Sequence, residues 1–561
     1  MTVSSTARNA GVATRVAVDQ LAAFAGERTP DPLVPEIDWS GPVRRDLPDE
    51  SAVQAACGIM HVHGRAAGHP QRLGVDYAST LAGLLGAQGV LAASIGRVRG
   101  ARITGVRTSV AQAALLAVQQ YLAVATADDD WAEQWQPGGR PPFTSRDGVR
   151  FELETLRAEG WGRFWHELGA DRAALAEGWW PFQQRFATAT GALPAALHET
   201  LRAVDYGTIA TAAARSGASV LPVRDVPAPP ADVPACTFRE LPAASERRPV
   251  RTGNEPLNGI VVVESTRRIQ GPVVGHVLQR LGADVVRIEP PGGDPMRGMP
   301  PMAGACSARF RALNDGKSVV ELDLKTEQGR RAVREVVAGA DAFVHNWAPG
   351  KAEEFGLDAR SLAHVRPGLA YAWSSGWAPL SWPDQPLGTD FLVQAHSGLA
   401  AANYPAGTPP APSLMTLTDI LGGMVCAQGV LAALLGQVRT GRGYRVDSSL
   451  FSAAGVVPRP PQRQVWTELD RPLRTEDGYV VLPRALDGES LAAATGTADP
   501  PAAAARLRDQ PTAHWQQRFA DVGLTATPVR TDLRDLAGDP AFADALVTGT
   551  TTAPSKPWEF S

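Results

Sequence analysis

The chain contains two copies of one segment, and this repeat limits the folds open to it. Residues 53–114 align without a gap on residues 393–454, a shift of 340 positions, and 23 of the 62 aligned positions are identical. The match includes an unbroken run of seven residues, Ala87–Ala93 against Ala427–Ala433. An ungapped match of this length indicates a duplicated structural unit.

The copies differ at the start of their shared helical segment, where Asp419 in the second copy stands opposite Ser79 in the first. A carboxylate is a nucleophile or a base at neutral pH, whereas a serine needs another group to activate it. If the protein is an enzyme, we therefore expect one working site in the second copy and a relic in the first.

Length and composition exclude several classes of protein. A chain of 561 residues is too long for one core, and we expect about three to five folding units. The formal net charge is −4 and the sequence carries no dense basic patch, which argues against a general nucleic-acid binder. No run of 18 apolar residues and no apolar signal core occur, so we expect a cytoplasmic protein without a membrane span.

The four cysteines are widely spaced and form no CxxC pair, so we expect free thiols and no metal site. They are Cys57, Cys236, Cys306 and Cys426.

Changes of pattern along the chain predict six segments. These are an irregular arm over 1–45, a mostly helical, degenerate partial copy over 46–130, a small α+β domain over 131–235, a Pro-rich linker over 236–256, a large domain over 257–455, and a second small α+β domain over 456–561. Pro222-Val223-Arg224 recurs as Pro528-Val529-Arg530, so both copies carry a small domain. We expect no segment after the second small domain that returns to the large one.

The large domain alternates strand and helix patterns. Short apolar runs at 259–264, 284–289, 318–322, 342–346 and 369–373 predict buried parallel strands. Their spacing predicts an α/β fold with a doubly wound, Rossmann-like parallel sheet. Neither GxGxxG nor a Walker A sequence is present, so the motifs signal no dinucleotide or nucleoside-triphosphate chemistry.

Asp419 occupies a favourable place for an ionised carboxylate. Thr418 is predicted as the N-cap of a helix that runs to about residue 438 and ends at 440–443. The positive end of the helix dipole favours a charged Asp in the first turn. A plain first-turn aspartate without chemistry is the alternative.

Several segments resemble the class III (CaiB/BaiF-type) CoA-transferase family, which also contains the α-methylacyl-CoA racemases. They follow the family order across about half of the chain: Leu257–Ile260 leading to Gly271-Pro272, Leu281–Asp294, Gly316–Lys325, Asn346–Gly350, Gln394–Leu399 and the Asp419 helix. Residues 46–225 resemble the later part of the same family fold more faintly.

The resemblance implies that Asp419 is the catalytic aspartate. It would attack the thioester carbonyl of an acyl-CoA, giving a mixed anhydride and then an aspartyl-CoA thioester that passes CoA to an incoming carboxylic acid. Coenzyme A enters as the acyl-CoA substrate, and no metal is implied. Each step passes through an oxyanion, for which backbone N–H groups at the helix start are hypothetical donors.

The resemblance also implies a set of CoA contacts: Ile269, Gln270, Leu322, Lys325, Asn346, Trp347 and Ala348. Lys325 would attract phosphates and Trp347 would stack on adenine, although a solvated lysine and a core tryptophan are equally simple interpretations. Arg267 and Arg268 are further candidates.

Two further departures from the family pattern, and one test of the racemase alternative, leave other activities open. Glu354 stands where the family often has an arginine, and only residues 455–476 separate the Asp419 helix from the small domain. Thr389 occupies the position of a racemase histidine, which disfavours racemisation, and we interpret the nearby His396 as a core or surface residue. The alternatives to transfer are an acyl-CoA epimerase or isomerase with Asp419 as base, and a non-catalytic acyl-CoA-binding protein.

Family members are interlocked homodimers with sites at subunit contacts. The resemblance therefore implies either a homodimer or an intrachain pseudo-dimer in which the first copy supplies the partner surface.

Overall fold

A computed structural model describes residues 11–129, 136–244, 255–484 and 486–561. Parts of three predicted features lie outside these ranges: residues 1–10 of the arm, residues 130–135 at the first domain boundary, and residues 245–254 of the linker.

The helices and strands fall into four groups along the chain. The first copy contains α1 (Gly11–Ala22), β1 (Glu36–Asp38), α2 (Glu50–Ala56), α3 (Ile59–Gly64), α4 (Tyr77–Val98), β2 (Val106–Ser109) and α5 (Val110–Ala125). The first small domain contains β3 (Phe143–Thr144), β4 (Arg150–Glu154), α6 (Ala158–Glu167), α7 (Arg172–Thr188), α8 (Ala195–Arg202), α9 (Tyr206–Ser216) and β5 (Ser219–Pro222).

The large domain contains β6 (Cys236–Ala244), β7 (Val261–Ser265), α10 (Gln270–Arg280), β8 (Asp284–Glu289), β9 (Met302–Ala303), β10 (Cys306–Ser307), α11 (Ala308–Asn314), β11 (Ser318–Glu321), α12 (Glu327–Ala338), β12 (Ala342–His345), α13 (Lys351–Glu354), α14 (Ala359–Val365), β13 (Ala370–Ser375), α15 (Asp390–Ser397), α16 (Leu399–Ala402), α17 (Leu417–Thr440), β14 (Arg442–Ser449) and α18 (Leu450–Ala454). The rest of the chain contains β15 (Leu473–Arg474), β16 (Tyr479–Val481), α19 (Gly488–Thr495), α20 (Pro500–Arg506), α21 (Thr512–Ala520), β17 (Thr527–Pro528), α22 (Arg534–Gly538), β18 (Leu546–Thr548), β19 (Thr552–Pro554) and β20 (Glu559–Phe560).

The large domain is built on a seven-stranded sheet in the order β11-β8-β7-β12-β13-β14-β6. The first six strands are parallel and β6 is antiparallel at the edge. Val262 and Val344 pack with α10 and α17 on one face, whereas Val263 and Phe343 pack with α12 and α14 on the other. Helices on both faces of a parallel sheet confirm the predicted doubly wound fold.

The two copies exchange their last strands. β6 follows the first small domain but pairs with β14 of the second copy, where Phe238 lies opposite Val446. β20 lies near the chain end but pairs with β2 of the first copy, where Phe560 lies opposite Val106. Val106 and Val446 are equivalent in the repeat, so the chain forms an interlocked pair with itself.

This exchange corrects two predicted boundaries. Residues 236–244 are a strand of the large sheet and not a linker, because β6 covers the backbone edge that β14 would otherwise leave unpaired. The second small domain does not extend to residue 561, because the chain after Leu533 joins the main core and Trp558 donates from Nε1 to the Leu85 carbonyl at 2.8 Å. A returning segment is therefore present, and Trp558 and β20 join it to the first copy.

The predicted irregular arm contains helix α1 and strand β1 within its described residues, 11–45. Ala13, Val16 and Ala17 of α1 are buried against α4. Gly83 of α4 and Gly423 of α17 are equivalent in the repeat, and each allows another helix to pack closely. A Cβ atom added to Gly83 would meet Val16 of α1, and one added to Gly423 would meet Val273 of α10. α1 therefore packs on the first copy as α10 packs on the second.

Helices α4 and α17 pack against each other at the centre of the molecule. The Tyr77 hydroxyl donates to the Leu417 carbonyl at 3.0 Å, and Gln88 Nε2 donates to the Met424 carbonyl at 2.8 Å. Both helices are long and apolar enough to cross a membrane, but 100% and 94% of their apolar windows are buried inside the protein. Their hydropathy is that of core helices.

Each small domain docks on the opposite copy. Arg224, which follows β5, donates its backbone N–H to the Ala395 carbonyl, and Arg530, which follows β17, donates to the Ala55 carbonyl. Ala55 and Ala395 are equivalent in the repeat, so the two contacts are related by the duplication. The first small domain thereby lies against the part of the second copy that carries Asp419.

Candidate active site

Asp419 lies in the first turn of α17, as predicted, and its side chain is partly exposed. The helix begins at Leu417, however, so the predicted N-cap at Thr418 is wrong. Thr416 is the N-cap, with a φ of 56° in the left-handed region. Thr418 is turned inward because its hydroxyl and its N–H both donate to the Asp390 carboxylate.

Asp390 caps the start of α17 from the side. Its Oδ2 atom accepts the N–H groups of Thr418 at 2.6 Å and of Asp419 at 2.9 Å. Gln394, one turn along α15, donates to Oδ1. The two first-turn N–H groups proposed as oxyanion donors are therefore already bonded within the protein.

The first copy repeats this network with Glu50 in place of Asp390. Glu50 accepts the N–H groups of Ala78 and Ser79, each at 2.9 Å, and the Ser79 hydroxyl at 2.6 Å. Gln54 donates to Glu50 as Gln394 donates to Asp390. Sequence reasoning missed Asp390, although extending the ungapped repeat three residues upstream pairs it with Glu50.

The Asp419 carboxyl lies in an acidic, largely dry setting. Its pKa is raised well above the ordinary value, mainly by burial and then by the negative charges of Asp390 and Glu154, while the Arg268 guanidinium acts in the opposite direction. Burial also raises the pKa of Asp390 to about 6, against the hydrogen bonds from Thr418 and Gln394. Carboxyl groups this close do not all ionise at one pH.

Glu154 reaches the site from the first small domain, because β4 packs against α15. It is 7% exposed and forms an ion pair with Arg185 at 3.2 Å. The Arg185 guanidinium in turn lies over the Phe391 ring, next to Asp390, at 4.7 Å. The site is thus enclosed by the second copy on one side and the first copy's small domain on the other.

The start of the Asp419 helix lies next to the topological switch of the sheet, where doubly wound folds form a ligand crevice. The strand order places β7 next to β12, and their carboxyl ends lead into residues 266–270 and 346–348. Ligands of doubly wound folds bind at this position. Asn346 joins the two loops, since its side chain accepts the Arg267 N–H at 3.0 Å and donates to the Arg267 carbonyl at 2.9 Å.

Gln270 links this crevice to the Asp419 helix. A Cβ atom added to Gly422 would lie 2.8 Å from Gln270 Nε2, which shows how closely the two groups approach. Arg268, two residues before Gln270, has a φ of 64°. Strained non-glycine backbone at Arg268 and Thr416, on both sides of the crevice, is typical of functional sites.

The structure therefore brings four predicted site residues together: Asp419, Ile269, Gln270 and Asn346. Leu322 and Lys325 lie further out, after the edge strand β11, where Lys325 is exposed. Ala348 is also exposed. Sequence reasoning missed Glu154, and no local signal in its own segment marks it.

Trp347 packs in an aromatic cluster with His345 and Phe355, at centroid distances of 4.5 and 5.3 Å, and donates from Nε1 to the Ser265 hydroxyl. This matches the core interpretation of Trp347. Glu354 is paired with Lys351 at 2.6 Å.

His396 packs among Trp377, Trp382 and Phe451. Across the described ranges, no group of three or more His, Cys, Asp or Glu side chains is placed to hold a metal ion.

Comparison with known proteins identifies related sequences. A family model described as CoA-transferase family III matches residues 40–240 and 257–468. An acetyl-CoA:oxalate CoA-transferase of Acetobacter aceti is 36% identical over 198 residues, 35% of this chain and 51% of that protein. A succinyl-CoA:glutarate CoA-transferase of Mus musculus is 29% identical over 245 residues, 41% of this chain and 56% of that protein.

A probable fatty acyl-CoA transferase of Mycobacterium tuberculosis is 32% identical over 213 residues, 37% of this chain and 53% of that protein. The chain thus spans about half the length of the curated relatives it matches. Among solved structures, a CaiB/BaiF family protein from Brucella suis is 27% identical, with a TM-score of 0.49 over 54% of this chain and 92% of that one.

Proposed function

Because the chain belongs to CoA-transferase family III, we propose that it transfers coenzyme A between an acyl-CoA thioester and a carboxylic acid, with Asp419 as the nucleophile. The observation that carries the proposal is the position of Asp419. Residue Asp419 is partly exposed next to the loops at the switch point of the sheet, while the helix that bears it is buried. A ligand in that crevice has its reactive end next to this carboxyl.

The proposed reaction has two halves. An Asp419 carboxylate oxygen bonds to the thioester carbonyl carbon, and the C–S bond breaks to release CoA thiolate and leave a mixed anhydride. The thiolate then attacks the Asp419 carbonyl, giving an aspartyl-CoA thioester and releasing the donor acid as a carboxylate. An incoming carboxylate repeats these steps in reverse order and leaves as the new acyl-CoA.

We assign the CoA body to the loops after β7 and β12. Arg267 and Arg268 are exposed there and provide positive charge for phosphate groups. Lys325 supplies further charge at the outer edge of the same side of the sheet. Glu354 does not argue strongly against an anionic ligand here, because it forms an ion pair with Lys351.

We further propose one active site per chain. The first copy has Ser79 in place of Asp419 but supplies its small domain to the second copy's site. The single chain would then do what two interlocked subunits do in the family.

A base-catalysed isomerisation of an acyl-CoA is the second candidate. The raised pKa of Asp419 favours it, because a general base works best when its pKa lies near the operating pH.

Intact-protein mass spectrometry tests the proposal. The protein is mixed with a panel of acyl-CoAs, treated with hydroxylamine or borohydride, and mapped by peptide. We expect one CoA adduct or trapped modification per chain, on Asp419. Binding of CoA without any adduct, together with exchange of solvent deuterium into the α-position of an acyl-CoA, would replace transfer by base catalysis, and binding alone would indicate a non-catalytic protein.

A further inference from the structure

The first small domain places a buried charge cluster against the Asp419 site. Arg185 is 2% exposed and pairs with Glu152 at 3.5 Å and Glu154 at 3.2 Å, and it donates to the Leu153 carbonyl at 2.9 Å. Two aromatic rings hold its guanidinium, Phe182 at 3.7 Å and Phe391 at 4.7 Å. Buried ion pairs contribute little net stability after desolvation, so stability alone is a weak reason for this cluster.

The cluster is incompletely satisfied by the protein. Glu152 Oε2 and Arg185 Nε are buried without a hydrogen-bond partner among the described residues. The two acids outnumber the one cation, so the cluster carries an excess of negative charge when both are ionised. Of the two acids, Glu154 is the one whose negative charge raises the pKa of Asp419.

The contacts of β4 and β5 place Glu154 beside α15. Glu154 ends β4, where it pairs with Ser219 of β5, and the Ser219 hydroxyl accepts the N–H of Leu387 just before α15. Glu154 is therefore held at the start of α15, where Asp390 meets the first turn of α17. The charged or titratable groups that act on the Asp419 region are Asp390 from α15, Glu154 from β4, Arg268 from the loop before α10, and Tyr77 from α4.

We propose that Glu154, held by Arg185, is a positioning residue of the transfer reaction, through which the first copy favours covalent modification of Asp419. This inference rests on the proposed function. Free Asp419 carries a negative charge, whereas the anhydride and the aspartyl-CoA thioester are uncharged at that residue. A nearby negative charge destabilises the free carboxylate and leaves the neutral adducts unaffected, so the equilibrium moves toward the adduct.

The equivalent position in the second small domain has lost this feature. The register of the small sheets, with Phe151 opposite Pro222 and Val480 opposite Pro528, pairs Glu154 with Pro483. The second small domain docks on the first copy, which has Ser79 in place of Asp419. Of the two small domains, only the one that docks on the second copy therefore carries an acid at this position.

The test compares wild type with Glu154→Gln, using Glu159→Gln as the matched control. Glu159 is an exposed acid of the same small domain, so its replacement makes the same chemical change away from the site. For Glu154→Gln we expect the acidic limb of kcat/KM against pH to move down by about one pH unit. We also expect a smaller fraction of Asp419 to be trapped as adduct at equilibrium, with neither change in the control.

An unchanged pH limb and an unchanged adduct fraction in folded Glu154→Gln would overturn the inference. Should that variant not fold, Glu154→Asp retains the charge but withdraws it by one methylene, and a smaller shift in the same direction is expected. No shift in Glu154→Asp would equally refute the role.

A readout without catalysis separates this inference from the proposed function. Because the pKa of Asp419 is raised in the folded state, the folded protein retains a proton that the unfolded chain loses, and stability falls as pH rises toward that pKa. Glu154→Gln should make this fall in stability smaller when Asp419 is present. It should have no such effect in a protein that also carries Asp419→Asn. If wild type forms no adduct, yet the effect of Glu154→Gln on the pH dependence of stability requires Asp419, the transfer proposal fails while the electrostatic coupling between Glu154 and Asp419 stands.

Discussion

Asp390 both holds and repels Asp419. Its Oδ2 atom accepts the Asp419 N–H at 2.9 Å, while its negative charge raises the pKa of the Asp419 side chain. The hydrogen bond fixes the backbone of the nucleophile, and the repulsion keeps its carboxyl basic. The same carboxyl therefore sets the geometry and the acidity of the proposed nucleophile.

Replacing the nucleophile should separate binding from chemistry. Asp419→Asn keeps the size of the side chain but removes its nucleophilic oxygen, and we expect turnover to fall by about 10³-fold or more. CoA binding, measured by calorimetry, should change little, because the loops after β7 and β12 are untouched. A variant that retains turnover would remove Asp419 from the mechanism.

The pH profile should report the acidic setting of the site. Only ionised Asp419 attacks, so kcat/KM for the acyl-CoA should rise with pH through a pKa above that of an ordinary aspartate. Asp390→Asn removes a neighbouring negative charge and should move this limb to lower pH. A limb at the ordinary aspartate pKa in wild type would contradict the proposed electrostatics.

Gly423 tests the contact between α10 and α17. A Cβ atom there would lie 2.5 Å from Val273 Cβ and 2.6 Å from the Gln270 carbonyl oxygen. We expect Gly423→Ala to destabilise the protein by about 1–3 kcal/mol in urea unfolding and to weaken CoA binding by displacing Gln270.

Gly83→Ala is the matched control, because its Cβ would lie 2.6 Å from the Ala13 carbonyl oxygen in the first copy. It should cost similar stability and leave CoA affinity unchanged. Equal losses of affinity in both variants would mean that the effect is general unfolding.

Restoring an aspartate to the first copy should not restore a site. Ser79 lines a cavity of about 490 Å³ with Glu50 and Arg484, but the described part of the first copy contributes only β1 and β2 to a parallel sheet. Ser79→Asp should therefore leave one adduct per chain by mass spectrometry.

The same variant should lower the free energy of unfolding by about 1–3 kcal/mol. The new carboxyl replaces the hydroxyl that donates to Glu50, whose pKa burial and the charge of Asp76 already raise to about 7. A second adduct on residue 79 would show that the first copy binds acyl-CoA.

The interlocking of the two copies depends on Trp558. This side chain is 6% exposed, and a Cβ atom on Gly89 would lie 3.0 Å from its ring. Trp558→Ala removes a large buried ring and the bond to Leu85, so we expect a loss of about 3–5 kcal/mol in urea unfolding. Trp558→Phe should cost less, and equal losses in both would assign the effect to the hydrogen bond alone.

Much of the second copy could be predicted from local pattern. Five of the seven strands of the large sheet, the end of α17 at Gly441 and the first-turn place of Asp419 follow from apolar runs and helix signals, whereas β14 and β6 were not predicted. The crevice residues Gln270 and Asn346 came only from resemblance to a family, because nothing in their spacing brings them together.

The errors have a common physical origin. α1, β6 and β20 are short or flanked by Pro-rich sequence, and each gains its stability from an edge or face contributed by the other copy. Local propensity is a weak guide where tertiary pairing supplies the stabilising contacts.

The sequence by itself determined that a unit is duplicated and that only one copy keeps a carboxylate at its helix start, since residue identity and a fixed offset of 340 positions are written in the chain. Only the tertiary structure decided that Asp390 and Glu154 surround that carboxylate. The reason is that Glu154 lies 265 positions before Asp419 in the sequence. The two residues approach each other only because the first small domain docks on the second copy. That docking depends on burial and shape, which the local spacing of residues does not encode.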